Sequence, residues 1–254
     1  MRTIHIGVML LAAVMALFTT ANCKADALIE VVKAEGKVEV RQQEQPSTTV
    51  SSKSILPARN ILTTGPTGRA VVRVGNSGFI VVEKNSSIEI NQSSASAEFF
   101  RHITGMIFYA MNTVRGPRPV EIRTASAIIG IRGTRFLVAD LPDRKEIGMR
   151  KGIVNVTSPN EEFEIHKKMQ EDEFAAFKKE GQDAIDAERR KFNEYKASNE
   201  REFVEYKREF KLGADRMVSF DGKRVSEAAL SGESKKDMES LETYAAEWLS
   251  EVRD

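Results

Sequence analysis

Residues 119–138 constrain the fold more than any other stretch of this 254-residue chain. Residues 120–123 alternate between apolar and polar side chains, and residues 124–127 are all small or hydroxyl-bearing. Residues 128–131 form a second apolar run, and residues 132–138 pass through a glycine into a third. Short apolar runs separated by small residues and glycine are typical of strands joined by tight turns. The stretch therefore predicts three consecutive β-strands.

Seven positions in this stretch carry a resemblance to a known family: Thr124, Ala127, Gly130, Arg132, Gly133, Thr134 and Phe136. The pattern resembles the signature of the FecR family, which reads roughly as a strand, T-P-x-A, an apolar run and R-G-T-x-F-x-V. The resemblance covers roughly residues 28–177 and implies a β-rich module of bacterial cell envelopes, built as a β-solenoid or a rolled sheet. We interpret the seven residues as structural. Gly133 can adopt a turn conformation closed to other residues, and Thr134 can satisfy buried backbone groups.

Other short apolar runs recur about every ten residues, with glycine turns between them. The clearest pair, residues 69–74 and 79–83, flanks a glycine-rich loop and predicts a hairpin. Residues 99–111 fit a helix by periodicity, whereas the resemblance implies a strand, a turn and a strand. Because no strict repeat is visible, the spacing alone does not distinguish a solenoid from a sandwich. We predict one FecR-like β domain over residues 28–170.

Residues 1–25 are predicted to be a secretory signal peptide. Arg2 supplies a cationic start, residues 6–18 form an apolar centre, and small residues follow. As a helix, the apolar centre would span about 20 Å, short of the roughly 30 Å of membrane hydrocarbon. Cys23 opens the alternative of a lipid anchor, but Asn22 before it is larger than that signal prefers. The sequence therefore predicts export to the periplasm or beyond the cell, with no membrane span after cleavage.

The charge of the chain is almost balanced, with 38 Lys and Arg residues against 37 Asp and Glu residues. This balance argues against nucleic acid or another polyanion as the partner. The signature region nevertheless has a local positive bias, which leaves an anion site open as an alternative. The bias comes from Arg115, Arg118, Arg123, Arg132 and Arg135.

Residues 171–212 differ in character from the preceding part of the chain. They contain no proline and are rich in Glu, Lys, Arg and Ala, which favours a helix. Aromatic residues recur eleven residues apart, a spacing that returns to nearly the same side of a helix. We predict a long charged helix of the coiled-coil type, whose aromatic stripe either packs on its own chain or binds another. This candidate partner surface comprises Phe192, Tyr195, Phe203, Tyr206 and Phe210.

Residues 213–254 are predicted to contain a hairpin and an amphipathic helix. Asp221 and Gly222 form a typical hairpin turn signal, and the apolar residues from Met238 to Val252 recur at helical spacing. The expected fold class is therefore segregated α+β. A mainly-β domain would be followed by the long helix and then by a small helical C-terminal tail.

The sequence contains no recognisable catalytic, cofactor or metal site. Beyond the leader the histidines are His102 and His166, and neither lies at metal-ligand spacing. The glycine-rich motifs of nucleotide and phosphate binding are absent from the sequence. We therefore predict a protein that is not an enzyme and that uses no cofactor or metal.

These patterns together predict a non-enzymatic, exported cell-envelope protein. By the resemblance, it would act as a binding, scaffolding or signalling module through contacts with an unidentified envelope protein. FecR regulators relay the state of a transporter to a sigma factor through a membrane helix and a cytoplasmic segment. Neither is expected in this sequence, so we favour binding or scaffolding. The alternative is a cell-wall carbohydrate-binding module or a wall-associated enzyme, which a cleft with paired carboxylates would favour.

Overall fold

The protein is built from two β-sheets that pack face to face. A computed structural model describes residues 29–42, 45–56, 59–92, 98–112, 120–168 and 202–252. The first ten strands are β1 (Ile29–Glu35), β2 (Val38–Gln42), β3 (Thr48–Thr49), β4 (Ser54–Leu56), β5 (Asn60–Thr64), β6 (Arg69–Val74), β7 (Gly78–Val82), β8 (Ser87–Gln92), β9 (Glu98–Met111) and β10 (Val120–Arg123). The others are β11 (Ile128–Ile131), β12 (Thr134–Asp140), β13 (Lys145–Lys151), β14 (Val154–Thr157), β15 (Phe163–Lys168), β16 (Glu202–Lys207), β17 (Glu209–Leu212), β18 (Arg216–Asp221) and β19 (Arg224–Ala229). Two helices follow, α1 (Gly232–Tyr244) and α2 (Ala246–Leu249).

The two sheets share one strand, β9. Sheet A has the order β4-β1-β6-β7-β9-β12-β13-β18-β19-β15-β16, and sheet B has the order β3-β2-β5-β8-β9-β10-β11-β14-β17. Neighbours are antiparallel except for the parallel pairs β9–β10 and β15–β19. Because side chains alternate along a strand, each sheet turns one face inward. The two inner faces form a single apolar core.

Strand β9 bends from sheet B into sheet A at Gly105. Its first half pairs with β8 and β10, and its second half pairs with β7 and β12. Gly105 has a φ of +94°, and a Cβ there would lie 2.2 Å from Ser86 Oγ. That hydroxyl also accepts the backbone N–H of Met106 at 2.9 Å. The bend therefore requires glycine, both for its backbone conformation and for the space it leaves.

Helices α1 and α2 cover the outer face of sheet A, which adds a third layer. Ser231 caps α1, because its hydroxyl accepts the backbone N–H of Ser234 at 3.0 Å. The helix approaches β13 closely at Gly148, where a Cβ would lie 2.8 Å from Leu230 and 2.9 Å from Met238. The contact forms a second core between the helices and sheet A. Its buried residues are Val71, Phe79, Val81, Phe108, Ala110, Leu137, Leu230, Met238, Leu241, Ala245, Leu249 and Val252.

The predicted fold class, a segregated α+β protein with a long helix, is wrong. Residues 202–212 of the expected helix form β16 and β17, and residues 169–201 lie outside the described residues. The described ranges contain no coiled coil, and their longer helix has 13 residues. Strand β16 pairs with β15, β17 with β14 and β18 with β13, so the tail completes both sheets. A helix-forming composition is a weak preference, which this pairing overrides.

A buried histidine lies in the core beside the bend of β9. His102 is 1% exposed, with Nε2 3.1 Å from the carbonyl oxygen of Gly105 and Nδ1 3.3 Å from the hydroxyl of Tyr109. Because a carbonyl can only accept, Nε2 carries the proton and Nδ1 accepts from Tyr109. Burial lowers the pKa of His102 from 6.5 to about 4, against the opposing effect of the Gly105 hydrogen bond. The ring is therefore neutral at pH 7.

Replacement of Gly133 is expected to destabilise the β-sandwich. Gly133 has a φ of +67°, which a β-branched residue adopts only with strain. We expect Gly133→Val to lower the free energy of unfolding by about 1–3 kcal/mol, as measured by urea unfolding.

The matched control is Gly130→Ala in the neighbouring strand β11. A Cβ at Gly130 would lie 3.7 Å from the Cβ of Asn155, an ordinary contact, and the unfolding midpoint should hardly change. Equal midpoints for Gly133→Val and the wild type would contradict the strain at this turn.

The His102 environment predicts a loss of stability on mild acidification. The pKa is lower in the folded protein than in the unfolded chain, so the unfolded chain takes up the proton first as the pH falls below 6.5. Stability should be fully present above pH 6.5 and should fall by about 2 kcal/mol on going from pH 7 to pH 5. The His102→Gln variant has no titratable group at this position. Its free energy of unfolding should therefore fall by about 2 kcal/mol less than that of the wild type between pH 7 and pH 5. The same pH dependence in both proteins would refute the assignment.

Candidate functional site

A cleft of about 820 Å³ opens at the end of the sandwich where four turns meet. The turns are residues 124–127, which join β10 to β11, residues 141–144, residues 158–162 and residues 222–223, which join β18 to β19. Two of these turns lie in the signature region or shortly after it, and the other two come later in the chain. The tail strands thus supply part of the wall.

Thr124 and Ala127 of the signature shape the first of these turns. The Thr124 hydroxyl oxygen accepts the backbone N–H groups of Ser126 at 3.1 Å and Ala127 at 2.9 Å. A threonine side chain that bonds the backbone two and three residues ahead stabilises a tight turn. Ala127 is fully buried, whereas Ala125 and Ser126 face the cleft. The two signature residues therefore hold the turn, and the residues between them line the site.

Arg144 connects the second turn to helix α1. Its guanidinium donates to Glu146 and to Asp237, both at 2.6 Å, and to Ser234 Oγ at 3.1 Å. Ser234 in turn donates to Glu146 at 2.8 Å, and Glu233 lies 3.2 Å from the guanidinium. Burial by itself would lower the pKa of Arg144, but the hydrogen bonds to Glu146 and Asp237 raise it above its ordinary value. The charge of Arg144 is thus already neutralised by its own chain.

The other charged residues on the rim of the cleft differ in whether they have an ion-pair partner. Lys145 Nζ lies 3.5 Å from Asp140 Oδ1, so Lys145 has a partner within its own chain. Within the described part of the chain, four rim residues make no ion pair and no side-chain hydrogen bond. They are Asp143, Glu161, Asp221 and Lys223, and all four are exposed. The free charges of the rim are therefore three carboxylates and one ammonium group.

The cleft also has polar and aromatic lining. Ser126, Ser158 and Asn160 supply hydroxyl and amide groups. Phe163 and Phe220 form its apolar part, with ring centroids 5.9 Å apart. Phe163 is only 2% exposed, so its ring belongs mainly to the core. The site can accept hydrogen bonds and cations more readily than it can stack a ring.

The other five signature residues lie away from this turn. Gly130 lies in β11, Arg132 is exposed after it, and Phe136 in β12 is fully buried, stacked 5.1 Å from the ring of Tyr109. Gly133 forms a turn with positive φ. The Thr134 hydroxyl is buried and has no hydrogen-bond partner among the described residues, so it does not have the backbone-satisfying role that we expected.

The predicted aromatic stripe is not one helical face. Phe192 and Tyr195 lie outside the described residues, and Phe203 and Tyr206 lie on β16. Phe210 lies on β17 and packs against the core. A strand has a period of two, so spacings of three and eleven residues do not align side chains as they would on a helix. Tyr206 is 64% exposed, and its contact with a partner stays a prediction.

The two described histidines do not contribute to the cleft. His102 lies in the core, and His166 on β15 has Nε2 3.0 Å from Glu164 Oε1. Across the described ranges, no three His, Cys, Asp or Glu side chains come together in a way that could hold a metal ion. None of the helices in those ranges is long and apolar enough to cross a membrane.

The sequence held no local signal for this cleft. Its free rim residues come from three turns, and the first and last of them are separated by 80 positions in the chain. No spacing rule brings such residues together. Only the pairing of β18 with β13 and of β19 with β15 places the last turn beside the others.

Comparisons with known proteins bear on the family of the chain. No curated protein matches the chain. Two crystal structures of proposed anti-sigma factors from Parabacteroides distasonis are similar, with TM-scores of 0.46 and 0.44 at 11% and 10% identity. The similarity covers 72% and 69% of this chain but 64% and 62% of those chains, so the chain spans less than two thirds of their length.

The family comparison falls on the signature region. Residues 60–155 match the model of the family described as FecR protein. This range runs from β5 into β14 and includes the turns at residues 124–127 and 141–144. The chain therefore carries a FecR domain over residues 60–155, which confirms the resemblance.

Proposed function

We propose that the protein is a non-enzymatic, exported cell-envelope module that acts through protein–protein contacts, in binding, scaffolding or signalling. The observation that carries this proposal is the FecR domain over residues 60–155. FecR regulators work by contact with other proteins, and FecR-like domains are modules of bacterial cell envelopes, which supports both the role and the location that we propose. The tail strands then extend that domain into a larger sandwich.

The surface of the sandwich supports a binding role. The outer face of sheet B carries charged side chains in pairs, such as Glu89 with Arg101 at 2.8 Å and Glu121 with Arg123 at 3.1 Å. Ile103 on the same face is 38% exposed. Such a mixed face is compatible with a non-obligate complex, because these interfaces are about as apolar as ordinary protein surface.

Export is supported by the cationic start and the apolar centre of residues 1–25. We expect the mature protein to begin after Ala25 or Ala27, as read by N-terminal sequencing of the protein from whole cells. Leu11→Arg places a charge in the apolar centre and should keep the protein in the cytoplasm with Met1 retained. Thr3→Arg adds the same charge to the cationic start and should leave export unchanged. Wild-type protein in the cytoplasm that still begins with Met1 would refute export.

The proposed function predicts a protein neighbour at the FecR domain in intact cells. A photo-reactive residue at Thr63, on the outer face of sheet B, and another at Ser126, in the cleft, lie within the matched range. We expect at least one of them to yield a discrete crosslinked adduct on a denaturing gel. Glu239 is exposed on α1, outside that range, and serves as the control position. Absence of adducts at both Thr63 and Ser126 would refute the proposed function.

A further inference from the structure

We infer that the cleft at residues 124–127, 141–144, 158–162 and 222–223 binds an extended, basic peptide segment of a protein partner. This inference rests on the proposed function and specifies the chemistry of the partner. The site is the cavity itself. Its volume of about 820 Å³ lies in the range of pockets that bury a substantial ligand.

The unpaired charges of the cleft determine the sign of the charge that a ligand should carry. Arg144 and Lys145 already pair with acidic residues of their own chain, which weakens their attraction for an anion. Three carboxylates and one lysine remain on the rim without an internal partner among the described residues. The formal charges of these four groups sum to −2. A ligand with two or more Lys or Arg side chains complements this rim.

The neutral polar groups suit a peptide main chain. Ser126, Ser158 and Asn160 stand around the cleft with hydroxyl and amide groups that both donate and accept hydrogen bonds. The Ser158 hydroxyl accepts the backbone N–H of Asn160 at 3.4 Å, which stabilises the turn that carries both residues. A peptide backbone presents alternating donors and acceptors and can use both kinds of group.

Other ligand classes fit the cleft less well. The cleft offers a sugar ring little aromatic surface for stacking, because Phe163 is 2% exposed and Phe220 is partly buried against the core. A metal ion would require converging ligands, and the described residues bring no such group together. The rim carboxylates are spread over separate turns, as the contacts of a long ligand would be.

The walls also indicate where specificity resides. The turns at residues 124–127 and 141–144 belong to the matched FecR range, whereas residues 158–162 and 222–223 lie outside it. Glu161, Asp221 and Lys223 are thus contributed by the later part of the chain. The FecR domain supplies the frame of the cleft, and the tail supplies most of its free charge.

Binding of defined peptides to the full mature protein tests the inference. The probes are fluorescein-labelled short peptides of repeated Gly-Lys-Ser, Gly-Glu-Ser or Gly-Gln-Ser, followed by fluorescence anisotropy, with chitotetraose as an unlabelled competitor. The wild type should bind the lysine peptide at least about tenfold more tightly than the other two, which corresponds to about 1.4 kcal/mol. The rim charges are exposed, so this affinity should fall as salt is added.

Two double variants with the same change in net charge distinguish an effect of the cleft on binding from an effect of the net charge of the protein. Asp143→Asn with Asp221→Asn removes two rim carboxylates and should weaken the lysine peptide about tenfold. Glu239→Gln with Glu247→Gln removes two exposed carboxylates of the helices and should change the affinity less than about twofold. All four positions are exposed, so both variants should keep the wild-type unfolding midpoint.

Each other outcome overturns the inference. Equal weakening in both variants would show a net-charge effect only. Displacement of the lysine peptide by chitotetraose would assign the cleft to glycans. If the protein shows no preference among the three peptides at roughly millimolar concentration, the cleft does not bind a basic peptide selectively. A crosslinked adduct at Thr63 in any of these cases would leave the proposed function standing.

Discussion

The two-sheet architecture depends on the hydrogen bonding of one strand. Strand β9 gives its first half to sheet B and its second half to sheet A, so it is the strand, among those described, that is hydrogen-bonded in both sheets. A chain that leaves one sheet inside the core must still pair its polar backbone groups. At the bend, Ser86 does this with Met106, and Gly105 leaves the space for it. Strands β10 and β12 pair with the two halves of β9, and they place the first two turns of the cleft.

Local patterns were sufficient to predict much of the β structure. The hairpin of β6 and β7 and the strands of the signature stretch follow the alternation and the glycine turns of the sequence. The turn held by Thr124 is also a local feature, since its hydrogen bonds reach only two and three residues ahead. Elements that depend on contacts between neighbouring residues could therefore be predicted from the sequence. Residues 99–111 fitted either a helix or a strand because this strand pairs in two sheets, and no single periodicity describes its pattern of burial.

The remaining features depend on contacts between distant parts of the chain. Residues 202–212 have a helix-forming composition, but they pair as strands with the edges of β15 and β14. Leu212 is fully buried as a result of the pairing with β14. Intrinsic preference amounts to less than about 1 kcal/mol per residue, so such burial and pairing decide the outcome. The cleft is non-local in the same way. Its charged rim exists only because β18 and β19 lie beside β13 and β15.

The late arrival of the tail strands has a consequence for folding. Strands β13, β14 and β15 precede their partners β18, β17 and β16 in the chain, by more than 30 residues in each case. During synthesis, a nascent chain that ends after β14 would present two sheet edges with unpaired backbone groups, one at β13 and one at β14. Such edges are templates for association between chains. The last 50 or so residues of the described chain therefore act as edge protection for the sheets made before them, and a chain interrupted before β16 would be prone to aggregate rather than simply to lose a ligand.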